Sequence, residues 1–224
     1  MLLALDTSTP LVVAAVHDGR RDAGADGVLA EGVGDRPMRH GELLAPLLER
    51  LLAQAGVERT DLTGVAVGTG PGPFTGLRVG LVTARTLGAV LGVPVAGVCS
   101  LDVIAAEAAA AGLVEGRFLV ATDARRKEIY HAVYAAGPDG CRREGDPSVA
   151  RPAELPEGLR TLPCVGPGPG MYPDDLTDPR GLERPSAAWL ARAVVDGLAA
   201  TTLPEPLYLR RPDAVASAAR KPVS

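Results

Sequence analysis

The feature that most constrains this chain is a pattern that occurs twice. Leu2 to Leu5 is a short apolar run closed by Asp6-Thr7-Ser8-Thr9-Pro10, and Leu11 to Val16 is a second apolar run ending at Asp18-Gly19. Phe118 to Thr122 is again an apolar run closed by an aspartate, Asp123. The polar turn Ala124-Arg125-Arg126-Lys127 follows, then a run from Ile129 to Ala135 and the turn Gly137-Pro138-Asp139-Gly140. Each copy reads as two antiparallel strands joined by a tight polar turn. The two aspartates stand about half of the 224-residue chain apart. Duplication of a whole lobe accounts for order, spacing and hydrophobicity together, whereas chance similarity of two hairpins accounts for hydrophobicity alone.

Between the copies, strands and helices alternate. From Gly41 the leucines fall at 43, 44, 47, 48, 51 and 52, a broad face of a 3.6-period helix that stops at Gly56, with Pro46 tolerable only near its first turn. Val65 to Val67 is a short strand running into the glycine-rich segment Gly68 to Gly76, and a second helix spans Thr75 to Leu91. Pro94 to Val98 is a further strand, and Ser100 is placed to cap an alanine-rich helix reaching Ala111. In the second half, Arg151 to Pro185 is rich in Pro and Gly and reads mostly as loop with a strand near Leu162 to Val165. Ser186 caps a helix to Ala200. The expectation is an α/β protein of two lobes, residues 1–105 and 106–212, followed by a tail over 213–224.

Composition excludes several classes. Lys+Arg number 23 against 27 Asp+Glu, a formal charge of −4, so no whole-chain electrostatic footprint for nucleic acid or an anionic membrane exists. With 46% hydrophobic and 22% charged residues the chain has material for a core, built from aliphatics because aromatics are only 3%. Cys99, Cys141 and Cys164 form an odd set without CxxC spacing, poor material for disulfides or structural zinc. The longest apolar stretch, Leu77 to Val98, carries Arg78 and Arg85, and one arginine at mid-span costs about 2.5–3.5 kcal/mol in a bilayer. The opening MLLALD has no basic region and does not read as a signal peptide. A cytoplasmic protein is expected.

The chemistry-bearing residues are few. The segment Gly68 to Gly76 contains neither GxGxxG nor GxxxxGK[ST], so it reads as a rigid strand-to-helix connection. His17, His40 and His131 stand far apart, and Ser8 and Ser100 lack a GxSxG elbow. No metal site and no catalytic residue is expected. Gly76, Gly80, Ala84 and Gly88 recur at intervals of four, a stripe that admits a closely packed neighbour. With Leu43, Leu47 and Leu51 of the preceding helix, it either covers its own sheet or forms a subunit interface.

Two lobes, each opening with strand, aspartate turn and strand, are the plan of the actin, sugar-kinase and Hsp70-like (RNase H-like) ATPases, to which this resemblance is one of fold. Such turns hold phosphate through glycine backbone N–H groups, and here neither turn has a glycine. Asp6, Thr7, Ser8, Asp123 and Arg125 are therefore either remnant nucleotide or anion contacts or plain turn residues. The cationic turn itself is either a solvated loop or an anion site.

Three segments, LLALDTST, GTGPGPFTGLRVGLVTARTLG and DARRKEIYHAVY, closely resemble the bacterial TsaB family, also called YeaZ, as do HGELLAPLL and the closing PLYLRRP. The resemblance spans essentially the whole chain. It implies a two-lobed actin-like fold and a place in the machinery that puts threonylcarbamoyl on the adenosine beside the anticodon of certain tRNAs. It further implies a non-catalytic partner of the paralogue TsaD, with the small ATPase TsaE joining them. ATP, magnesium and metal would belong to those partners, and tRNA would be met through the complex, with a homodimer the alternative assembly in isolation. The metal motif of TsaD is a histidine pair separated by three residues, and the position matching His40 in that spacing is Leu44. An actin-like ATPase or kinase using Asp6, Thr7 and Asp123 is the competing function, and a metallopeptidase a distant third.

Overall fold

The computed structural model describes residues 1–23, 27–138 and 140–210. The tail expected over 213–224 and the turn residue Asp139 lie outside the described residues. The first lobe runs β1 (Leu2–Asp6), β2 (Val13–His17), β3 (Val28–Val33), α1 (His40–Ala55), β4 (Gly64–Gly68), α2 (Phe74–Leu91), β5 (Val95–Val98) and α3 (Ser100–Ala110). The second runs β6 (Gly116–Asp123), β7 (Ile129–Gly137), β8 (Gly140–Ala150), α4 (Glu157–Arg160), β9 (Pro163–Val165), α5 (Gly168–Met171), β10 (Asp178–Pro179), α6 (Ala187–Val195) and β11 (Thr201–Thr202).

The duplication is visible in the sheets. The first has the order β11-β5-β4-β1-β2-β3, and the second β10-β9-β6-β7-β8. Without β11, each is a three-stranded antiparallel meander whose first strand pairs in parallel with the fourth, and the fourth in parallel with the fifth. In both meanders the opening strand ends on its aspartate, Asp6 opposite Val13 and Asp123 opposite Ile129. The third strands, β3 and β8, have no clean alternation of burial and were not expected from the sequence.

The helices that follow each sheet are exchanged between lobes. Leu101, Ile104, Ala105 and Ala108 of α3 pack on Phe118, Val120, Ala132 and Tyr134 of the second sheet. Leu190 and Ala191 of α6 pack on Leu2, Ala4 and Ala66 of the first. The boundary expected at 105/106 falls inside α3. The 46% apolar composition is thus spent on two cores tied by a crossed helix pair.

Several local expectations need correction. Pro46 is the seventh residue of α1, not in its first turn. It is tolerated because it lies on the exposed face, where the carbonyl it leaves unpaired meets water. Cys99, not Ser100, is the N-cap of α3, because the Ser100 hydroxyl is engaged elsewhere. Ser186 does cap α6, accepting from the Trp189 N–H at 3.2 Å.

The stripe is the largest correction. Gly76, Gly80, Ala84 and Gly88 are all buried and face their own sheet: a Cβ on Gly80 would overlap the Thr7 side chain, and one on Gly88 would overlap Val95. Leu47 and Leu51 of α1 are likewise buried over β3, beside Gly32, and Leu43 is half-buried. None of the stripe, nor Leu47 or Leu51, is available to a partner. The outward face of α2 instead exposes Val82 at 61% and Val90 at 77%. Though α2 is long and apolar enough to cross a membrane, its buried glycine face makes it a sheet-covering helix.

Candidate interlobe cleft

Asp6 closes β1 with its carboxylate turned into the protein. Oδ1 accepts the Ser8 N–H at 2.6 Å, and Oδ2 accepts the Ser100 hydroxyl, also at 2.6 Å. Burial pushes the Asp6 carboxyl above its usual range, while the hydrogen bonds from Ser100 and Ser8 pull it back. Only glycine fits at position 68, since a Cβ there would overlap this carboxylate. Thr7 is equally occupied: its hydroxyl donates to the Gly76 carbonyl at 2.8 Å and accepts the Gly80 N–H at 3.1 Å. Those two groups form one i→i−4 pair, so the hydroxyl is inserted into the α2 ladder. His40, buried at the start of α1, has Nε2 2.7 Å from the Thr9 carbonyl. The glycine-rich segment thus clasps the first turn from the α2 side.

The second turn repeats the motif without the clasp. Asp123 Oδ1 accepts the Arg125 N–H at 2.7 Å, the same aspartate-to-second-residue bond as Asp6 with Ser8. Its Oδ2 pairs with Arg125 Nε at 3.6 Å, and its side chain is 23% exposed. Arg125, Arg126 and Lys127 have φ of 62°, 55° and 62°. Three successive left-handed L-residues cost roughly 1–2 kcal/mol each.

Between the turns lies a cleft of about 260 Å³, lined by Ser8, Thr9 and Pro73 from one lobe and Asp123, Arg125 and Pro167 from the other, among others. Of the expected contact residues, Ser8, Asp123 and Arg125 reach it, whereas Asp6 and Thr7 do not line it. Pro167 belongs to Gly166-Pro167-Gly168-Pro169-Gly170 after β9, the counterpart of the glycine-rich segment after β4. The likeness of VGPGPG to VGTGPGP is the sequence signal for that second copy.

A segment with no expected role crosses between the lobes. β11 pairs antiparallel with β5, the Leu207 N–H donates to the Thr69 carbonyl at 2.9 Å, and Tyr208 stacks on Phe74 with centroids 4.9 Å apart. Arg210 then donates to the Ala124 carbonyl at 2.8 Å and pairs with Glu128. Residues 201–210 are therefore a strap from the first sheet to the second turn.

The family model for TsaD, tRNA N6-adenosine threonylcarbamoyltransferase, matches residues 35–160. The chain is 30% identical over 178 residues to the tRNA threonylcarbamoyladenosine biosynthesis protein TsaB of Escherichia coli, covering 77% of this chain and 74% of that one. The chain belongs to the TsaB (YeaZ) family. The solved structure of YeaZ from Pseudomonas aeruginosa superposes with a TM-score of 0.74 at 29% identity, over 93% of this chain and 99% of that one. An uncharacterised protein of Mycobacterium tuberculosis is 41% identical over 228 residues, 95% of this chain and 93% of its own. The two-lobed α/β fold is therefore that of TsaB proteins, and the match to the TsaD model includes the whole of α1 and α2.

Proposed function

We propose that this TsaB-family chain takes part in making threonylcarbamoyladenosine in tRNA as a non-catalytic, cytoplasmic subunit that supports TsaD, with TsaE as third member. One observation carries the non-catalytic reading. Asp6 and Thr7, the groups an actin-like ATPase would aim at magnesium and phosphate, are engaged in hydrogen bonds to Ser8, Ser100, Gly76 and Gly80. Both are buried and do not line the cleft, and neither turn offers a glycine backbone to phosphate. Leu44, which stands where a second histidine would complete the metal pair with His40, is buried in the core at 2% exposure. On this reading nucleotide, magnesium and metal reside on the partners.

The outward face of α2, with Val82 and Val90, is the surface offered to TsaD, and in isolation the same face would pair two copies of the chain. Exposed valines on the helix that carries a buried glycine stripe replace the stripe itself as the contact. tRNA is met through the assembled complex.

The test is reconstitution. The purified chain alone should neither hydrolyse ATP nor modify tRNA, and adding it to TsaD, TsaE, the threonylcarbamoyl donor and tRNA should permit turnover. ATP hydrolysis by the isolated chain that disappears in Asp6→Ala would replace this reading with an actin-like ATPase. Val82→Asp with Val90→Asp should abolish association with TsaD while the fold survives, since both positions are solvent-facing.

A further inference from the structure

Adjoining the cleft is a second recess, of about 200 Å³, whose walls come from the loop before α2, the Asp123 turn and the strap. Three of the seven aromatic residues of the chain, Phe74, Tyr130 and Tyr208, line it. Phe74 and Tyr208 are stacked, Arg78 lies 3.7 Å over the Phe74 ring and donates to the Tyr208 hydroxyl at 3.1 Å, and Tyr208 keeps 38% of its surface exposed. Arg125, Arg126 and Arg210 enter the same recess, with Lys127 next in the turn. Among the described residues Asp123 pairs with Arg125 and Glu128 with Arg210, and arginines gather here on a chain whose formal charge is −4.

We propose that this recess binds an unpaired nucleotide of RNA, its backbone phosphate held by Arg125 and Arg126 and its base laid on Tyr208. Stacked aromatics beside arginines are what single-stranded nucleic acid requires, because every base has a π-face and every nucleotide a phosphate. At about 200 Å³ the recess is smaller than the roughly 300–1,000 Å³ of sites that enclose a whole small molecule, which suits a ligand lying partly outside it. Backbone strain points the same way. Glycine or asparagine would relieve the left-handed turn, yet Arg-Arg-Lys occupies it, so cationic side chains are retained at a conformational cost. The recess therefore gives the chain a direct contact with the tRNA, and this rests on the reading of it as a subunit of the tRNA-modifying complex.

The experiment uses that complex, assembled from this chain, TsaD and TsaE, with an unmodified tRNA transcript titrated across a salt series. Arg125→Gln with Arg126→Gln should weaken binding and reduce the log–log salt slope by about 0.7, the effect of one single-strand phosphate no longer neutralised. Tyr208→Ala should weaken binding about tenfold without changing the slope. Arg151→Gln, an exposed arginine of the second lobe, should change neither. ATP titrated onto the isolated chain should bind no more weakly in the double variant than in the wild type. A complex that assembles and binds tRNA with unaltered affinity and slope in the double variant overturns the inference, as does a loss confined to ATP, which would assign the recess to free nucleotide. Failure of the wild-type complex to assemble would instead remove the subunit reading. The same salt series on the isolated chain then decides the recess by itself.

Discussion

The two lobes share one strand order and differ in what covers it. Between its third and fourth strands the first lobe places α1 with 16 residues, and between its fourth and fifth α2 with 18; at the corresponding places the second has α4 and α5 with 4 residues each. The aspartate turns follow the helices. Where α2 is long, its N-terminal turns and the glycine-rich loop close over Asp6, which is 1% exposed; where α5 is one turn long, Asp123 stays open to the cleft. Two turns that share one aspartate hydrogen bond therefore acquire opposite roles from their cover: one carboxylate is a buried hub of the fold, and the other is a partly exposed group among arginines.

If cover decides the role, the largest effect should come from prying helix from sheet in the first lobe. Gly80→Leu drives a side chain into Thr7 and Leu5 and removes the room its hydroxyl bridge occupies. A loss of about 3 kcal/mol or more in folding stability is expected by urea denaturation, at or above the upper end of ordinary overpacking. The loss should appear in the isolated chain, because the glycine faces the sheet. Gly158→Ala in α4 meets open space and should be neutral or stabilising by up to about 1 kcal/mol. Equal losses at both sites would erase the contrast.

The aspartates come next. Asp6→Ala leaves the Ser8 N–H and the Ser100 hydroxyl without their acceptor in a buried place, at about 2–3 kcal/mol. Asp123→Ala removes a turn bond and a partly exposed ion pair and should cost about 1 kcal/mol or less. Denaturant midpoints compare the two directly, and a larger loss at Asp123 would reverse the assignment of hub and surface group.

How much of this is readable in the sequence depends on the range of the interactions. The paired aspartate turns are legible because strand, turn and strand are contiguous, and β1, β2, β6 and β7 lie where the apolar runs place them. The stripe is legible as a pattern but not as a direction. Spacing by four says that something approaches α2 closely, and only the pairing of β1 with β4 determines that the neighbour is Thr7 and not another subunit. Strand β8 is hidden by Arg142, Arg143, Glu144 and Asp146, which read as loop in isolation, although Arg143 turns inward to pair with Asp102 of α3 at 2.7 Å. The strap is beyond reach for a different reason. Its contacts join Leu207 to Thr69 and Arg210 to Ala124, positions remote in sequence and unmarked by any periodicity.

A further predicted effect lies where the lobes exchange helices. Glu107, on α3, shares a recess with Glu31 of β3 and with Glu183 and Arg184 of the second lobe, and its Oε2 is buried without a hydrogen-bond partner among the described residues. Burial first, and the Glu31 carboxylate second, push the Glu107 carboxyl up to about 7 from its ordinary 4.5, with Arg184 opposing. A folded-state value above the unfolded one means that the native protein holds the proton more tightly. This contribution to stability is therefore complete below about pH 4.5 and lost as pH rises through about 7. Glu107 is only half-buried, so solvent screens the effect and the change stays below those at Gly80 and Asp6. Glu107→Gln should flatten the pH dependence between pH 5 and 8 and make the variant the more stable protein at pH 8, read as denaturant midpoints at each pH. Glu31 also accepts from Ser186 and from the Ala188 N–H at the start of α6, which fixes its carboxyl group beside Glu107 at the joint. Parallel pH profiles for wild type and Glu107→Gln would show instead that the crossed helices meet without that strain.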